Sequence, residues 1–156
     1  MTTPLYQALF ISDLHLSPEQ PKLIELFLDY LTDTARHSQA LYILGDFFEF
    51  WIGDDDPEPL YQKIQKALQQ LSTHQHTKIY FMPGNRDFLL GQTWCQAAGI
   101  TLLTDPTVIT INNQNILLSH GDLYCTDDTS YQRYRHWVRK PWLQRCFFVS
   151  AIILAA

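Results

Sequence analysis

Residues that commonly bind divalent metals follow four short apolar stretches of this sequence. The four groups are Asp13 with His15, Gly45-Asp46, Gly84-Asn85-Arg86-Asp87 and His120-Gly121-Asp122. Aspartate oxygens and histidine nitrogens are usual ligands of manganese, iron and zinc, and Asn85 offers an uncharged carbonyl oxygen. One carboxylate can bridge two ions ~3.5–4 Å apart, the spacing of two-metal hydrolytic sites. Asp46 is the predicted bridge, because the small Gly45 before it lets the backbone come close.

Asp13 with His15 alone is as typical of a turn or surface loop as of a metal site, and Gly45-Asp46 and Gly84-Asn85 alone are more typical of turns. The order of the four, each directly after an apolar stretch, favours the metal site. Asp87 and Asp122 have two interpretations, since they could orient ligands or cap turns. Glu49 and the acidic run from Asp54 to Asp56 are predicted to solvate a loop and a helix start rather than to bind metal.

The elements that must position these groups alternate between strands and helices. Strands are predicted at 9–12, 41–44 and 79–82, and near 108–111 and 116–119 with a turn at 112–115. This order predicts an α/β sheet that is covered on both faces. In such a sheet, ligands bind outside the carboxyl ends of the strands, so the four groups should converge on one edge.

The predicted helices follow the period of apolar residues. One begins with Ser17 as its N-cap and Pro18 in its first turn, and it has an apolar face from Ile24 to Ala35. A second follows the acidic loop and carries Leu60, Ile64, Leu68 and Leu71 on one side. A short third helix spans about Trp94 to Ala98 and stops at Gly99.

Composition limits the class of protein. The chain has 156 residues, of which 46% are hydrophobic and 17% charged, so it is expected to fold and is not mainly disordered. A formal net charge of −5 argues against a protein that coats nucleic acid. Cys95, Cys125 and Cys146 are widely spaced and form no C-x-x-C pair, which indicates a reducing compartment rather than a disulfide framework.

Charge divides the chain into two predicted regions. Residues 1–128 hold all 16 acidic side chains and form the predicted core with the metal motifs. Residues 129–156 hold five basic side chains and no acidic one, with aromatic residues at helical spacing from Tyr131 to Trp142. Two interpretations stay open for this stripe: a face packed on the core, or an element that meets an anionic membrane surface. A nucleic-acid partner is not expected, because the rest of the chain is acidic.

Neither end of the sequence predicts a targeting or membrane segment. Residues 1–7 lack the basic and then apolar pattern of a signal peptide. The apolar stretch 147–156 is about half as long as the ~20 residues that a membrane-spanning helix needs. We therefore predict a cytoplasmic protein.

The ordered motifs resemble the calcineurin-like metallophosphoesterase superfamily. Arg86 stands where most of the superfamily has histidine. This arginine and the sequences around the motifs, at 47–55, 123–128 and 140–144, limit the resemblance to one branch of the superfamily. The similar branch hydrolyses the pyrophosphate of UDP-2,3-diacylglucosamine in lipid A biosynthesis. The resemblance covers about residues 5 to 145. It implies an α/β sandwich of mixed sheets that are flanked by helices, incomplete at the C-terminus.

The resemblance also implies roles for single residues. Asp13, His15 and Asp46 would bind one Mn²⁺, and Asp46, Asn85 and His120 a second. Asn85 and Arg86 would contact the phosphate of the substrate, and Asp128 its sugar lipid. Metal-activated water would attack the α-phosphorus, giving UMP and 2,3-diacylglucosamine 1-phosphate. The partners implied are a lipid-linked nucleotide and the cytoplasmic face of the inner membrane, where the protein would be peripheral.

The sequence departs from this family in one respect. Family members carry a later Gly-His-x-His segment that supplies each metal with another histidine, and no such segment is present here. His74-Gln75-His76 precedes a predicted strand, so it is not expected to substitute. The sequence also stops before the remaining cap helices and final strands of the family. A truncated or frameshifted product is the expectation from these two differences, with 147–156 outside the resemblance. The alternatives are an inactive metal-binding fragment and a general phosphodiesterase on nucleotides.

Overall fold

Strands and helices alternate through residues 4–140, the part of the chain that the computed structural model describes. The strands are β1 (Leu9–Ile11), β2 (Ala40–Ile43), β3 (Lys78–Phe81), β4 (Ile100–Leu102), β5 (Thr107–Ile111) and β6 (Gln114–Leu118). The helices are α1 (Pro21–Asp33), α2 (Pro59–His74), α3 (Gln92–Ala97) and α4 (Thr129–Val138). The chain divides into two compact units after His120. The first unit contains every strand and α1 to α3, and the second contains α4.

The first four strands form one parallel sheet in the order β1-β2-β3-β4. The predicted α/β alternation is confirmed for β1, β2 and β3 with the helices between them. Strand β4 was not predicted. Its three residues, Ile100-Thr101-Leu102, are interrupted by a polar one, so they lack the continuous apolar run that predicted β1, which is equally short. Gly99 at φ 71° turns the chain from α3 directly into it.

One face of this sheet carries the main core. Leu41, Ile43, Ile79 and Phe81 point into it and are almost completely buried. The apolar faces predicted for α1 and α2 pack in the same cluster, which confirms both helices. Continuous apolar strands and a 3.6-residue period in the helices therefore fix this half of the core.

The other face is covered by the β5–β6 hairpin rather than by helices. Leu118 of β6 packs with Ala40, Tyr42 and Met82 in a second, smaller cluster. Phe10 lies on this face 44% exposed, with its ring stacked on Tyr42 at 5.0 Å. The expectation of two covered faces therefore holds for the described residues only in part.

The start of α1 differs from the prediction. Ser17 is not the N-cap: Gln20 occupies that position and Pro21 is the first helical residue. The Gln20 amide donates to the Ser17 carbonyl over 3.0 Å, so residues 17–20 form a turn before the helix. Pro21 begins the helix, a position at which the missing amide of proline leaves no helical hydrogen bond unmade.

The last predicted strand pair has a shorter turn than expected. Asn112 and Asn113 both have positive φ, 51° and 59°, the conformation of a two-residue hairpin turn. The turn therefore occupies 112–113 instead of 112–115. Strand β6 pairs only with β5 among the described residues, so the fourth motif does not follow a strand of the parallel sheet.

The second unit is organised around one buried carboxylate. Asp122 accepts hydrogen bonds from the Tyr131 hydroxyl at 2.6 Å, Arg135 Nε at 2.9 Å and an Arg139 terminal nitrogen at 3.3 Å. Burial alone would raise the pKa of Asp122, but the hydrogen bonds from Arg135 and Tyr131 and the charge of Arg139 hold it below its usual value. Asp122 therefore connects the turn that precedes α4 to two residues of the helix, Tyr131 and Arg135, and to its C-cap, Arg139.

Some predictions fall outside the described residues. Trp142, Cys146 and the apolar stretch 147–156 lie there. Within residues 4–140, none of the helices has both the length and the hydropathy that a membrane crossing requires.

Candidate metal centre

The loops after β1 and β2 run side by side beyond the end of the sheet. The Asp13 amide donates to the Gly45 carbonyl at 3.1 Å, and the His15 amide donates to the Asp46 carbonyl at 3.0 Å. Asp13, His15 and Asp46 all have positive φ, between 50° and 56°. Such angles are unfavourable for residues with side chains and are concentrated at functional sites.

The first predicted metal group is assembled by these loops. Asp13, His15 and Asp46 each place one ligand atom within 4.8 Å of the other two. His15 Nε2 lies 3.8 Å from Asp46 Oδ2. Two carboxylates and an imidazole that face one another in this way form a donor set suited to a divalent ion.

The second predicted group meets on the other side of Asp46. His120 Nδ1 lies 2.9 Å from the Leu44 carbonyl, which can only accept, so this nitrogen carries the donated proton. His120 Nε2 then faces two oxygens, Asn85 Oδ1 at 3.1 Å and Asp46 Oδ1 at 3.7 Å. A backbone carbonyl that holds the far nitrogen of a histidine is the usual support of a metal ligand.

The carboxylate of Asp46 lies between the two groups. Its Oδ2 faces His15 and its Oδ1 faces His120, and the residue is only 4% exposed. The Arg86 amide donates to Oδ1 at 2.9 Å, which fixes the orientation of the carboxylate. This arrangement is the one that a ligand shared by two ions requires.

Two glycines make room for this carboxylate. A Cβ on Gly84 would collide with Asp46 Oδ1 and its backbone nitrogen. A Cβ on Gly45 would lie 2.6 Å from His120 Nδ1, and Gly45 also has φ 88°. Both positions therefore need glycine, and Gly45 allows the close approach of the backbone that the sequence predicted beside Asp46.

Asp87 supports the centre from inside the core. Its carboxylate accepts from the amides of Phe47 at 2.7 Å, Gly84 at 2.8 Å and Asp46 at 3.3 Å. Complete burial raises the pKa of Asp87, and the amides of Gly84, Phe47 and Phe48 oppose that rise. The sequence left open whether Asp87 orients ligands or caps a turn; it holds the loops that carry Asp46 and Asn85.

Glu49 has contacts that the loop interpretation did not foresee. Its Oε2 lies 2.9 Å from His15 Nδ1, within ion-pair distance although the angle does not make a hydrogen bond. Its Oε1 lies 3.3 Å from an Arg86 terminal nitrogen. Glu49 therefore contacts one predicted metal ligand and one predicted phosphate-binding residue. The only sequence signal for this is its place three residues after Asp46.

Asp54 was predicted to solvate a loop and a helix start, and its carboxylate instead binds backbone amides at the start of α3. Its carboxylate accepts from the amides of Gly91 at 2.8 Å and Trp94 at 3.0 Å. It therefore caps the start of α3, because the first amides of a helix have no partner within it.

The remaining predicted residues lie elsewhere. Asp128 belongs to the second unit, where it is the N-cap of α4 and accepts from the Tyr131 amide at 2.9 Å. His74 ends α2 and His76 precedes β3, so both lie at the amino end of that strand, whereas Asn85 follows its carboxyl end. Asp13, His15, Asp46, Asn85 and His120 are brought together, with Arg86 beside them.

The fold and this edge define a class of protein. Residues 6–150 match the calcineurin-like phosphoesterase family. The chain belongs to this family, which confirms the resemblance seen in the motifs.

Curated relatives carry a more specific name. The chain is 52% identical over 139 residues to the UDP-2,3-diacylglucosamine hydrolase of Edwardsiella ictaluri, covering 89% of this chain and 53% of that protein. The protein of the same name from Pseudomonas entomophila is 54% identical over 140 residues, 88% of this chain and 58% of the relative. The protein of the same name from Proteus mirabilis is 50% identical over 146 residues, 94% of this chain and 60% of that relative. The chain therefore spans little more than half the length of these relatives.

The family implies a divalent metal, and the residues present fit one. His120 Nε2 lies 3.1 Å from Asn85 Oδ1 and 3.7 Å from Asp46 Oδ1, so three atoms that can each coordinate a divalent ion converge there. The Asp13, His15 and Asp46 group offers a matching set of donors.

Proposed function

We propose that this chain hydrolyses the pyrophosphate bond of UDP-2,3-diacylglucosamine, giving UMP and 2,3-diacylglucosamine 1-phosphate. One observation carries the proposal: the Asp46 carboxylate directs one oxygen at His15 and the other at His120. The names of the relatives, at 50–54% identity, supply the substrate. The chemistry of the reaction requires water to add to the α-phosphorus and the bond to the bridging oxygen to break.

The proposed cofactor is Mn²⁺, two ions per chain. Asp13, His15 and Asp46 would hold one ion, and Asp46, Asn85 and His120 the other. Bound there, divalent cations neutralise a pyrophosphate and lower the pKa of water. The protein's own part is to fix the ligands, with Asp87 holding the loop of Asp46 and Leu44 holding His120.

Arg86 is the proposed phosphate-binding residue, together with Asn85. The Arg86 side chain is 46% exposed and lies 3.3 Å from Glu49. It is therefore accessible at the edge of the sheet that carries the predicted metal ligands, called here the metal edge. A planar guanidinium suits the paired oxygens of a phosphate. Asp128 is proposed to contact the sugar lipid, from its position at the N-terminus of α4.

The proposed location is the cytoplasm, at the surface of the inner membrane. The acylated substrate requires access to lipid. Tyr134 and Trp137 of α4 are each 54% exposed, and the Lys140 ammonium lies 3.9 Å from the centre of the Trp137 ring. Exposed aromatic rings with basic neighbours are typical of elements that lie at a membrane surface.

Release of UMP from UDP-2,3-diacylglucosamine in Mn²⁺ tests the proposal. We expect turnover from the wild-type chain, none from Asp46→Ala, and unchanged turnover from Asp29→Ala, which removes an exposed carboxylate on α1. Circular dichroism of each variant verifies folding. No turnover from folded wild-type protein would overturn the proposal and leave a metal-binding fragment. Equal hydrolysis of bis(p-nitrophenyl) phosphate would instead indicate a general phosphodiesterase.

A further inference from the structure

A cavity of about 920 Å³ lies at the amino ends of the parallel strands. Ala40 and Lys78, the first residues of β2 and β3, are in its wall, and so is Ala8, directly before β1. Four of the five predicted metal ligands, Asp13, His15, Asp46 and Asn85, follow the carboxyl ends of the same three strands. A ligand in this cavity would therefore bind away from the metal edge.

The cavity wall is cationic in an otherwise acidic unit. Its ionisable residues, apart from two tyrosines, are Arg36, His37, His74, His76 and Lys78. None of the residues lining it is Asp or Glu, although residues 1–128 hold sixteen acidic side chains and six basic ones. Within residues 4–140, neither Arg36 nor Lys78 has a carboxylate within 4 Å. Cations gathered on a concave wall without counter-charges attract anions.

Arg36 is arranged so that it can receive an anion. Its Nε donates to His37 Nε2 at 3.0 Å, which orients the guanidinium. Its two terminal nitrogens make no hydrogen bond to any residue from 4 to 140, which leaves the planar fork open. The stacked rings of Tyr42 and Tyr80, 4.7 Å apart, form a rigid apolar part of the same wall.

A second cavity adjoins these cations. It measures about 460 Å³, lies between α1 and α2, and shares Arg36, His74 and Gln75 with the first. Its wall includes Leu28 and Leu31 of α1. An apolar chain attached to an anion at Arg36 would thus find an apolar surface within reach.

We propose that the larger cavity binds a phosphate group, with Arg36 and Lys78 as its main contacts. The guanidinium fork and the ammonium group are the two side chains best suited to phosphate oxygens. The phosphate could belong to a soluble molecule, or to a lipid headgroup with its acyl chain on the leucines of the second cavity. The phosphate would contact Arg36 and Lys78 in both cases, and the experiment distinguishes the two sources.

The first arm titrates inorganic phosphate into the protein by calorimetry at low ionic strength, with EDTA present so that no metal competes. We expect Arg36→Gln/Lys78→Gln to bind about tenfold more weakly than wild type, since two charge-assisted contacts are lost. The matched control is Lys63→Gln/Lys66→Gln, which removes the same charge from the exposed face of α2 and should bind as wild type does. Circular dichroism compares the folding of both variants.

The second arm measures sedimentation with phosphatidylglycerol vesicles, using pure phosphatidylcholine vesicles as the reference. Vesicle binding that is lost in Arg36→Gln/Lys78→Gln alone would assign the site to a lipid phosphate. If Arg36→Gln/Lys78→Gln weakens the binding of inorganic phosphate but leaves vesicle binding unchanged, the site is assigned to a soluble ligand. The proposal is overturned if neither probe binds, or if the two double variants behave alike with both probes.

Discussion

The carboxylate of Asp87 holds the backbone of Asp46, 41 residues away in the chain, with Oδ1 at 3.3 Å from the Asp46 nitrogen. The same carboxylate accepts from the amides of Phe47 and Gly84, so it joins the loop after β2 to the loop after β3. Asp46 and Asn85 are carried by these two loops. The position of the proposed bridging ligand therefore depends on a side chain that lies outside the metal centre.

Asp87→Asn should destabilise the protein by about 3 kcal/mol, because an amide nitrogen would face backbone amides that then lack a buried acceptor. The midpoint of urea unfolding measures the change. Asp29→Asn, an exposed substitution on α1, should stay within about 0.5 kcal/mol of wild type. Equal midpoints for the two variants would contradict the role given to Asp87.

Glu49→Gln tests whether Glu49 orients His15 as a metal ligand without contributing much to the stability of the fold. Glu49 contacts His15 and Arg86 in a partly exposed position, so its loss should change the free energy of unfolding by less than about 1 kcal/mol. Affinity for Mn²⁺ should fall about tenfold, as is typical when a partner of a metal ligand is removed. Calorimetric titration of Mn²⁺ gives the affinity, with Glu25→Gln as the control. Unchanged affinity would mean that Glu49 does not support His15.

Arg86→Lys should weaken substrate binding in the UMP-release assay. The ammonium keeps the charge but loses the planar fork, so we expect KM to rise about tenfold. Mn²⁺ affinity should not change, because the Arg86 backbone amide, which donates to Asp46, is retained. A fall in metal affinity with unchanged KM would instead assign Arg86 a structural role.

The two described cysteines should differ sharply in reactivity. Burial raises the pKa of the Cys95 thiol to about 12, so almost no thiolate forms at pH 8, while Cys125 is exposed. In a Cys146→Ser background, iodoacetamide at pH 8 should label Cys125 within minutes and leave Cys95 unmodified until the protein unfolds. Mass spectrometry of peptides reads the outcome. Rapid labelling of Cys95 in folded protein would show that this part of the core opens.

The sequence was sufficient to predict that the loops after β1, β2 and β3 bring Asp13, His15, Asp46 and Asn85 to one edge, because buried strands and the polar residues after them are local signals. Their role as metal ligands stays a prediction. The sequence was not sufficient for β4, because the polar Thr101 interrupts the apolar residues of that short strand. Nor could it settle the role of Asp87, whose partners at 46 to 48 are about forty residues distant. His120 reaches the centre from a hairpin rather than from the parallel sheet, a pairing that depends on tertiary contacts.

The most direct test of the shared carboxylate is to count Mn²⁺ ions by electron paramagnetic resonance of the free ion during a titration. We predict two bound ions per wild-type chain, and a weakening of both in Asp46→Ala by at least about tenfold. His120→Ala should weaken only one of them, and His76→Ala neither. Two ions bound with unchanged affinity in Asp46→Ala would contradict the role of Asp46 as a ligand shared by both ions.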